Sequence, residues 1–521
     1  VLMSISWIRC FAHLVLLCCA CANTWTIPVE NWYTTVRGSD TSLALFGKQA
    51  EATLPWGIDY ALKELSEDTE NIEVELEFYD SEFRSATALE LLINFFEDGR
   101  TISVGNPLSG VLATTGQAAA VYGIAQMSAT STSAAISNKS LYPYTLRTYA
   151  PTPFHAGALA STILSYYDQE GLGWEKIALL CTTESYGISM ANSFIAAIEN
   201  TELELLAYQQ FIIGASDVTV EMREIKNSGA RVIVTFAIQG YADILREADE
   251  IGLLDGHHAF FVGPNLASDA GIYTFDNGTI DTETVRRLRG TIGTLAFLPR
   301  AGPVYDILEQ QWTALDPIEV SGAGPGTAPG LSPMLIYDMA IALGLGIVEA
   351  EKQGFTPDAP PSAQQWIDII QPLAYEGVSG PVEYDENGDR AMPIALVNFN
   401  SHQLLWFDVA RWTNDDGTQF FEETPVIWND NTTNVPDLDI RPPFDYWSCS
   451  DKKEKRDETG KRVFIETPDG SRVDDIDIDY HCDHFIDCAN LSDESYDCVS
   501  NYTIIFIVFG IITSLLILIT C

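Results

Sequence analysis

From Pro55 onward, apolar side chains recur at helical spacing (Ile58, Ala61, Leu62, Leu65) and predict a helix with one buried face. The period then changes. Ile72, Val74, Leu76 and Phe78 alternate with Glu73, Glu75 and Glu77, which predicts a strand with one wet face. A helix over 86–96 and a strand over 101–105 follow. The same cycle returns later, with a buried strand over 177–181, a helix over 188–198, a strand over 232–237, a helix over 241–251 and a strand over 259–262. Strands alternating with helices imply parallel sheets covered on both faces. Two such runs, parted near 148–152, predict two lobes, and ligands bind such sheets at the carboxyl ends of the strands, so facing lobes make a cleft. The Gly/Pro-rich stretch 321–333 lacks the spacing of a phosphate-cradling loop and is expected to be a flexible surface loop.

The two ends differ from this pattern. An Arg9, the apolar run Leu14-Val15-Leu16-Leu17-Cys18-Cys19 and the small residues Ala20-Cys21-Ala22 read as a secretory signal over 1–22, removed after Ala22. Residues 503–521 carry no charge; at the helical rise they span ~28 Å, one hydrocarbon core, and predict a membrane helix. A start at Val1 and a stop at that apolar stretch lead to the expectation of a fragment whose cytoplasmic part lies beyond it.

Composition narrows the function. With 28 Lys+Arg against 73 Asp+Glu, the net charge is −45, which repels phosphate backbones and argues against a nucleic-acid partner. Four of the ten cysteines fall in the signal, Cys521 in the apolar end, and Cys181 in the run IALLC, where a small buried hydrophobe is expected. Cys449, Cys482, Cys488 and Cys498 cluster near the C-terminus. Sequons at Asn138, Asn277, Asn431, Asn490 and Asn501 suit a glycosylated extracellular surface.

Six segments, in order, carry a family resemblance: YDSEFRSATALELL, VGNPLSGV, IAQMSATSTSAAISNKSLYPYTLRT, WEKIALLCTTESYG, GPVEYDENGDR and VIWNDNTTNVPDLD. Together they resemble the type I periplasmic-binding-protein fold, and most closely the ligand-binding regions of metabotropic glutamate, GABA type B and natriuretic-peptide receptors. The implied fold class is α/β, with two Rossmann-like lobes and parallel sheets. The bilobed domain is expected over 23–445, with the first lobe at about 23–148 and 269–378 and the second at about 149–268 and 379–445. In amino-acid-sensing members, a Ser of the first loop and hydroxyls of the second hold the ligand carboxylate, which implies Ser109, Thr130 and Thr132 here. A Tyr of the second lobe covers the ligand, implying Tyr186. Where glutamate sensors carry acids for the ligand amine, this chain has Thr152 and Asn265, which weakens the case for an α-amino acid. Glu184 and Asp269 lie near enough in sequence to substitute. Helix capping is the plain alternative role for Ser109, Thr130 and Thr132.

The stretch 480–498, YHCDHFIDCANLSDESYDC, resembles the C-terminal half of a low-density-lipoprotein-receptor class A repeat. The resemblance implies calcium held by Asp483, Asp487, Asp493 and Glu494 with the carbonyls of Tyr480 and Phe485, an oxygen set that suits a hard cation. It also implies disulfides Cys482–Cys498 and Cys488–Cys449, with the family's first pair absent. The module is placed at 446–500. Zinc on His481, Cys482, His484 and Cys488 is the competing reading, disfavoured because thiols pair in an oxidising compartment.

The expected function is the extracellular ligand-binding region of a single-pass cell-membrane receptor. It senses a small polar molecule by lobe closure and signals to a seven-helix bundle, a cyclase or a kinase. A homo- or heterodimer is implied by the resemblance. A solute-binding component of a transporter and a ligand-free dimerisation ectodomain are the alternatives. No G-x-S-x-G, H-E-x-x-H or P-loop motif is present, so an enzyme is not expected.

Overall fold

Trp25, Ile27 and Val29 alternate with Thr24, Thr26 and Pro28, and this run forms the first strand, β1 (Asn23–Asn31). The computed structural model describes residues 23–31, 41–67, 69–170, 173–215, 217–268, 272–274, 279–438, 446–448 and 475–477. The signal, most of the cysteine-rich module with its calcium ligands and cysteines, and the C-terminal apolar stretch lie outside them. The chain divides into two compact units, 1–438 and 439–521. In the second, the described residues are β16 (Tyr446–Ser448) and β17 (Asp475–Asp477), paired antiparallel.

Within the first unit, β2 (Ile72–Asp80), β3 (Ile102–Gly105), β4 (Ala125–Ser128) and β5 (Thr145–Arg147) join β1 in one all-parallel sheet, ordered β2-β1-β3-β4-β5. Helices α1 (Thr41–Lys63), α2 (Ser85–Glu97) and α3 (Ser109–Tyr122) connect its first four strands. Trp25, Ile27 and Val29 pack with Leu54 and Ile58 of α1, whereas Leu92, Phe95 and Ala119 of α2 and α3 form a separate cluster with Tyr79. The sheet is thus covered on both faces, as the alternation predicts.

The second sheet holds β6 (Lys176–Thr182), β7 (Glu204–Phe211), β8 (Val232–Phe236), β9 (Ala259–Val262) and β10 (Ile292–Ala296), all parallel. Helices α4 (Thr152–Glu170), α5 (Ser185–Ile198), α6 (Thr219–Asn227), α7 (Tyr241–Glu250), α8 (Pro264–Ser268) and α9 (Thr282–Arg287) accompany it. Both faces of β6 are buried: Ile177, Leu179 and Cys181 enter one cluster, Ala178 and Leu180 the other. That explains its unbroken apolar run. Cys181 is a free, fully buried thiol.

Two boundaries differ from the sequence expectation. The described residues between 272 and 296 do not belong to the first lobe: Ile272, Val285 and Leu288 pack in the second-lobe core, and β10 pairs with β9 and, antiparallel, with β13 (Ile394–Asn400) of the second sheet. The second sheet is also not wholly parallel, because β13, β14 (Leu405–Thr413) and β15 (Gly417–Phe420) extend it antiparallel. Both features turn on the β10–β13 pairing, which joins segments about a hundred residues apart and is not recorded in local periodicity.

Between β10 and β13 the chain runs through α10 (Pro303–Thr313), α11 (Leu331–Lys352), α12 (Ala363–Ile370) and the hairpin of β11 (Ala374–Gly377) and β12 (Gly380–Glu383). The stretch expected to be a flexible loop ends inside α11, where Pro333 is buried. Among the described residues α11 alone is long and apolar enough to cross a membrane, but 83% of its apolar window is buried in the protein, as a core helix requires. It packs tightly on α1. A Cβ at Gly57 would lie 2.5 Å from the Tyr337 carbonyl oxygen and 2.6 Å from the Ala340 Cβ, and one at Gly344 would lie 2.7 Å from the Ala61 Cβ. Gly57→Val is therefore expected to lower stability by about 2 kcal/mol through overpacking, read as the shift of a urea unfolding midpoint. An unchanged midpoint would contradict this helix contact.

Candidate functional site

In the first sheet the strand order reverses between β1 and β3, and in the second between β6 and β8. Ligands of open α/β sheets bind at such switch points, beyond the carboxyl ends of the strands. From β3 the chain turns immediately at Gly105 (φ +127°), where a Cβ would stand 2.0 Å from the Glu30 carbonyl oxygen, so only glycine fits against β1. Ser109 then opens α3. Its Oγ accepts the backbone amides of Thr132 (3.3 Å) and Ser133 (3.2 Å), and Thr130 donates to the Pro107 carbonyl at 3.3 Å. The two loops are stitched together by the hydroxyls the sequence pointed to.

The second lobe completes the cluster. Thr152, buried at the start of α4, lies 2.9 Å from the hydroxyls of both Ser189 and Ser193 on α5. Its amide donates to the Thr132 carbonyl at 2.8 Å. The Ala134 amide donates to Ser189 Oγ at 2.8 Å and to Thr152 Oγ1 at 3.3 Å, and Ser185 donates to Ser133 Oγ at 3.4 Å. Three successive amides, of Thr132, Ser133 and Ala134, thus converge on hydroxyl oxygens supplied by both lobes. Consecutive N–H groups can cradle an acceptor group such as a carboxylate; here hydroxyl oxygens take that place.

Tyr186 and Asn265 sit apart from this cluster. Tyr186 is 2% exposed in the core beneath the second-lobe strand ends, and a Cβ on Gly263 would be 2.5 Å from its hydroxyl. Burial drives its phenol well up, with the backbone of Asn265 opposing. Asn265 itself is half-buried in α8. Glu184 is committed to capping α5, where it accepts the amides of Tyr186 (2.5 Å) and Gly187 (2.7 Å) and the Thr182 hydroxyl (2.8 Å). Asp269 lies outside the described residues. Among the described residues no group of three or more His, Cys, Asp or Glu is placed to hold a metal.

Charge enters one layer behind the hydroxyls, at residues that the sequence reading did not single out. Arg147, at the end of β5, pairs with Asp389 at 2.7 Å, and both are buried. The guanidinium also donates to the Ser133 carbonyl (2.7 Å) and to the Ser137 hydroxyl (2.8 Å), while Ser137 donates to Asp389 at 2.5 Å. The next residue, Arg390, faces the other way and pairs with buried Asp338 of α11 at 3.2 Å. Asp338 also accepts the amides of Val378 (2.6 Å) and Ser379 (3.1 Å), and Arg390 donates to the carbonyls of Ser379, Gly380 and Pro381. Both segments belong to the stretches TLRT and GPVEYDENGDR that carried the resemblance, which is the one signal that could have found them.

Glu30, 1% exposed at the end of β1, accepts from Asn106 (2.6 Å), Gln126 (3.2 Å) and Ser103 (3.4 Å). The Asn106 carbonyl in turn accepts the hydroxyls of Ser128 and Ser131, just before the converging amides. Burial outweighs the three donors and pushes the Glu30 carboxyl from 4.5 up to about 7. A raised carboxyl pKa means that the folded state holds the proton more tightly than the unfolded chain. Its contribution is therefore complete below pH 4.5 and is lost as pH rises toward 7, by on the order of 3 kcal/mol. Glu30→Gln is expected to flatten this fall in unfolding free energy between about pH 5 and pH 8. The same decline in the variant would contradict the assignment.

The family model for the receptor family ligand binding region matches residues 57–402, from within α1 to just beyond β13. No curated protein matches the chain.

Proposed function

This chain belongs to the receptor family ligand-binding region, and from that premise we propose that it is the extracellular sensor of a cell-surface receptor. Its ligand is a small polar molecule carrying a carboxylate or a comparable acceptor. The observation that carries this reading is the convergence of the Thr132, Ser133 and Ala134 amides on hydroxyls from both lobes at the switch point. A ligand acceptor placed there would contact the first lobe through amides and the second through Ser185 and Ser189. Closure then follows, because only a ligand that touches both lobes favours the closed state. The absence of a charged side chain from these contacts favours a ligand held by dipoles over one gripped by a counter-ion.

A second reading has support of its own. Each of the three amides already has a hydroxyl acceptor, so the lobes can hold together without a ligand, as a dimerisation ectodomain would. On sequence grounds alone, the proposal also includes a calcium module on Asp483, Asp487, Asp493 and Glu494, a membrane helix over 503–521, and dimerisation.

A thermal-shift panel of carboxylates, amino acids, amines and nucleosides separates the two readings. A true ligand at 100 times its Kd is expected to stabilise the fold by about 2.7 kcal/mol. Ser109→Ala is expected to weaken a carboxylate hit by about tenfold, the worth of one hydrogen bond to a charged group. A folded protein that no carboxylate stabilises would favour the ligand-free reading.

A further inference from the structure

We propose that the outer edge of β2, with the groove beside it, docks an extended segment of a partner protein in which apolar and basic residues alternate. The site is separate from the hydroxyl cluster, and its occupancy does not depend on what the lobes bind. β2 is the outermost strand of the first sheet and pairs with β1 along its whole length, from Asn23↔Ile72 to Asn31↔Asp80. No strand lies against its other edge among the described residues. The Ile72 amide is taken by the Thr69 carbonyl, and from Glu73 to Tyr79 the edge carries no strand among the described residues; an edge of that length is a template for another strand.

A groove of about 1010 Å³ runs along this edge. Ile58 and Leu62 of α1 line one wall, and Ile72, Val74, Leu76 and Phe78 of β2, each only half-buried, line the other. Apolar side chains two residues apart beside an open backbone edge match the footprint of an added strand, whose backbone supplies affinity and whose alternate side chains supply specificity.

Charge identifies the occupant. Glu77 is already paired with Arg100 at 3.0 Å; Glu73, which accepts the Thr24 hydroxyl at 3.4 Å, and Glu75 are exposed, and the groove adds Asp59 and Glu70. Its one base, Lys63, is paired with Asp59 at 2.6 Å. A second copy of β2 would set glutamates against glutamates, and an anionic lipid surface would meet the same repulsion. A strand presenting Lys or Arg opposite Glu73 and Glu75, with small apolar residues turned into the groove, satisfies both faces at once. The acids also reject the chain's own edge, which is specificity by exclusion.

The test uses the full chain at about 0.15 M salt, where distant charges are screened. The probe is a fluorescent peptide of four Lys-Val repeats, compared with four Lys-Pro repeats of equal charge that cannot join a ladder and with four Glu-Val repeats. The Lys-Val peptide is expected to bind, with the Lys-Pro peptide about tenfold weaker and the Glu-Val peptide without measurable binding. In the double variant Glu73→Lys, Glu75→Lys, whose exposed positions leave the fold intact, the preference is expected to reverse toward the Glu-Val peptide. Equal binding of the Lys-Val and Lys-Pro peptides would reduce the effect to bulk charge and overturn the proposal. Unaltered binding in the double variant would overturn it too. So would a dimer of the chain that blocks peptide uptake, since the edge would then belong to a second copy.

Discussion

Asp389 and Arg390 are neighbours on the last crossover between the lobes, and their side chains leave in opposite directions into buried ion pairs. Asp389 holds Arg147 at the end of β5, immediately before the first crossover, and Arg390 holds Asp338 on the long core helix α11. Two of the three passages between the lobes are thereby tied to each other and to the core of the first lobe. The environment makes these contacts consequential. Arg147, Arg390, Asp338 and Asp389 are each no more than 5% exposed, and removing one member of such a pair strands its partner in low dielectric, at a cost of about 3–5 kcal/mol. Burial opposes charge at both pairs, lowering Arg147 and raising Asp338, and the opposite charge and hydrogen bonds work against it in each case.

The site inherits its shape from that frame. Arg147 donates to the Ser133 carbonyl, so the loop that presents the converging amides is fixed from behind by the pair that closes the crossover. From the other side, Glu30 fixes Asn106, and Asn106 fixes Ser128 and Ser131. Full charges therefore stay one layer back, while the proposed site itself is made of amides and hydroxyls. Burying amides and hydroxyls costs less desolvation than burying an ion pair does.

Much of the fold was legible in the sequence where the period was clean. The alternation over Ile72–Asp80 gave β2, and the run IALLC gave a strand buried on both faces. β1 carries the same alternation in Trp25, Ile27 and Val29, yet it directly follows the signal-like stretch and contains Pro28, which argues against a central strand. Helix α11 is buried on nearly every side, Asp338 included, and so has little period to read. Motif order singled out Ser109, Thr130, Thr132 and Thr152, which the structure places together. Ser189 and Ser193 were not, because a serine on a helix looks the same in sequence whether it faces solvent or another lobe. Nor does sequence tell which few of 73 acids are buried, and Glu30, Asp338 and Asp389 become special only through their neighbours.

The Arg147–Asp389 pair couples the crossover to the site loop, and a double-mutant cycle measures that coupling. Unfolding free energies of the parent, Arg147→Met, Asp389→Leu and the double variant give the coupling. Each single variant is expected to lose about 3 kcal/mol or more, while the double variant recovers on the order of 2 kcal/mol of their sum, because no unpaired charge is left behind. Additive losses would mean that the two side chains act independently and that the pair does not couple the crossover to the loop.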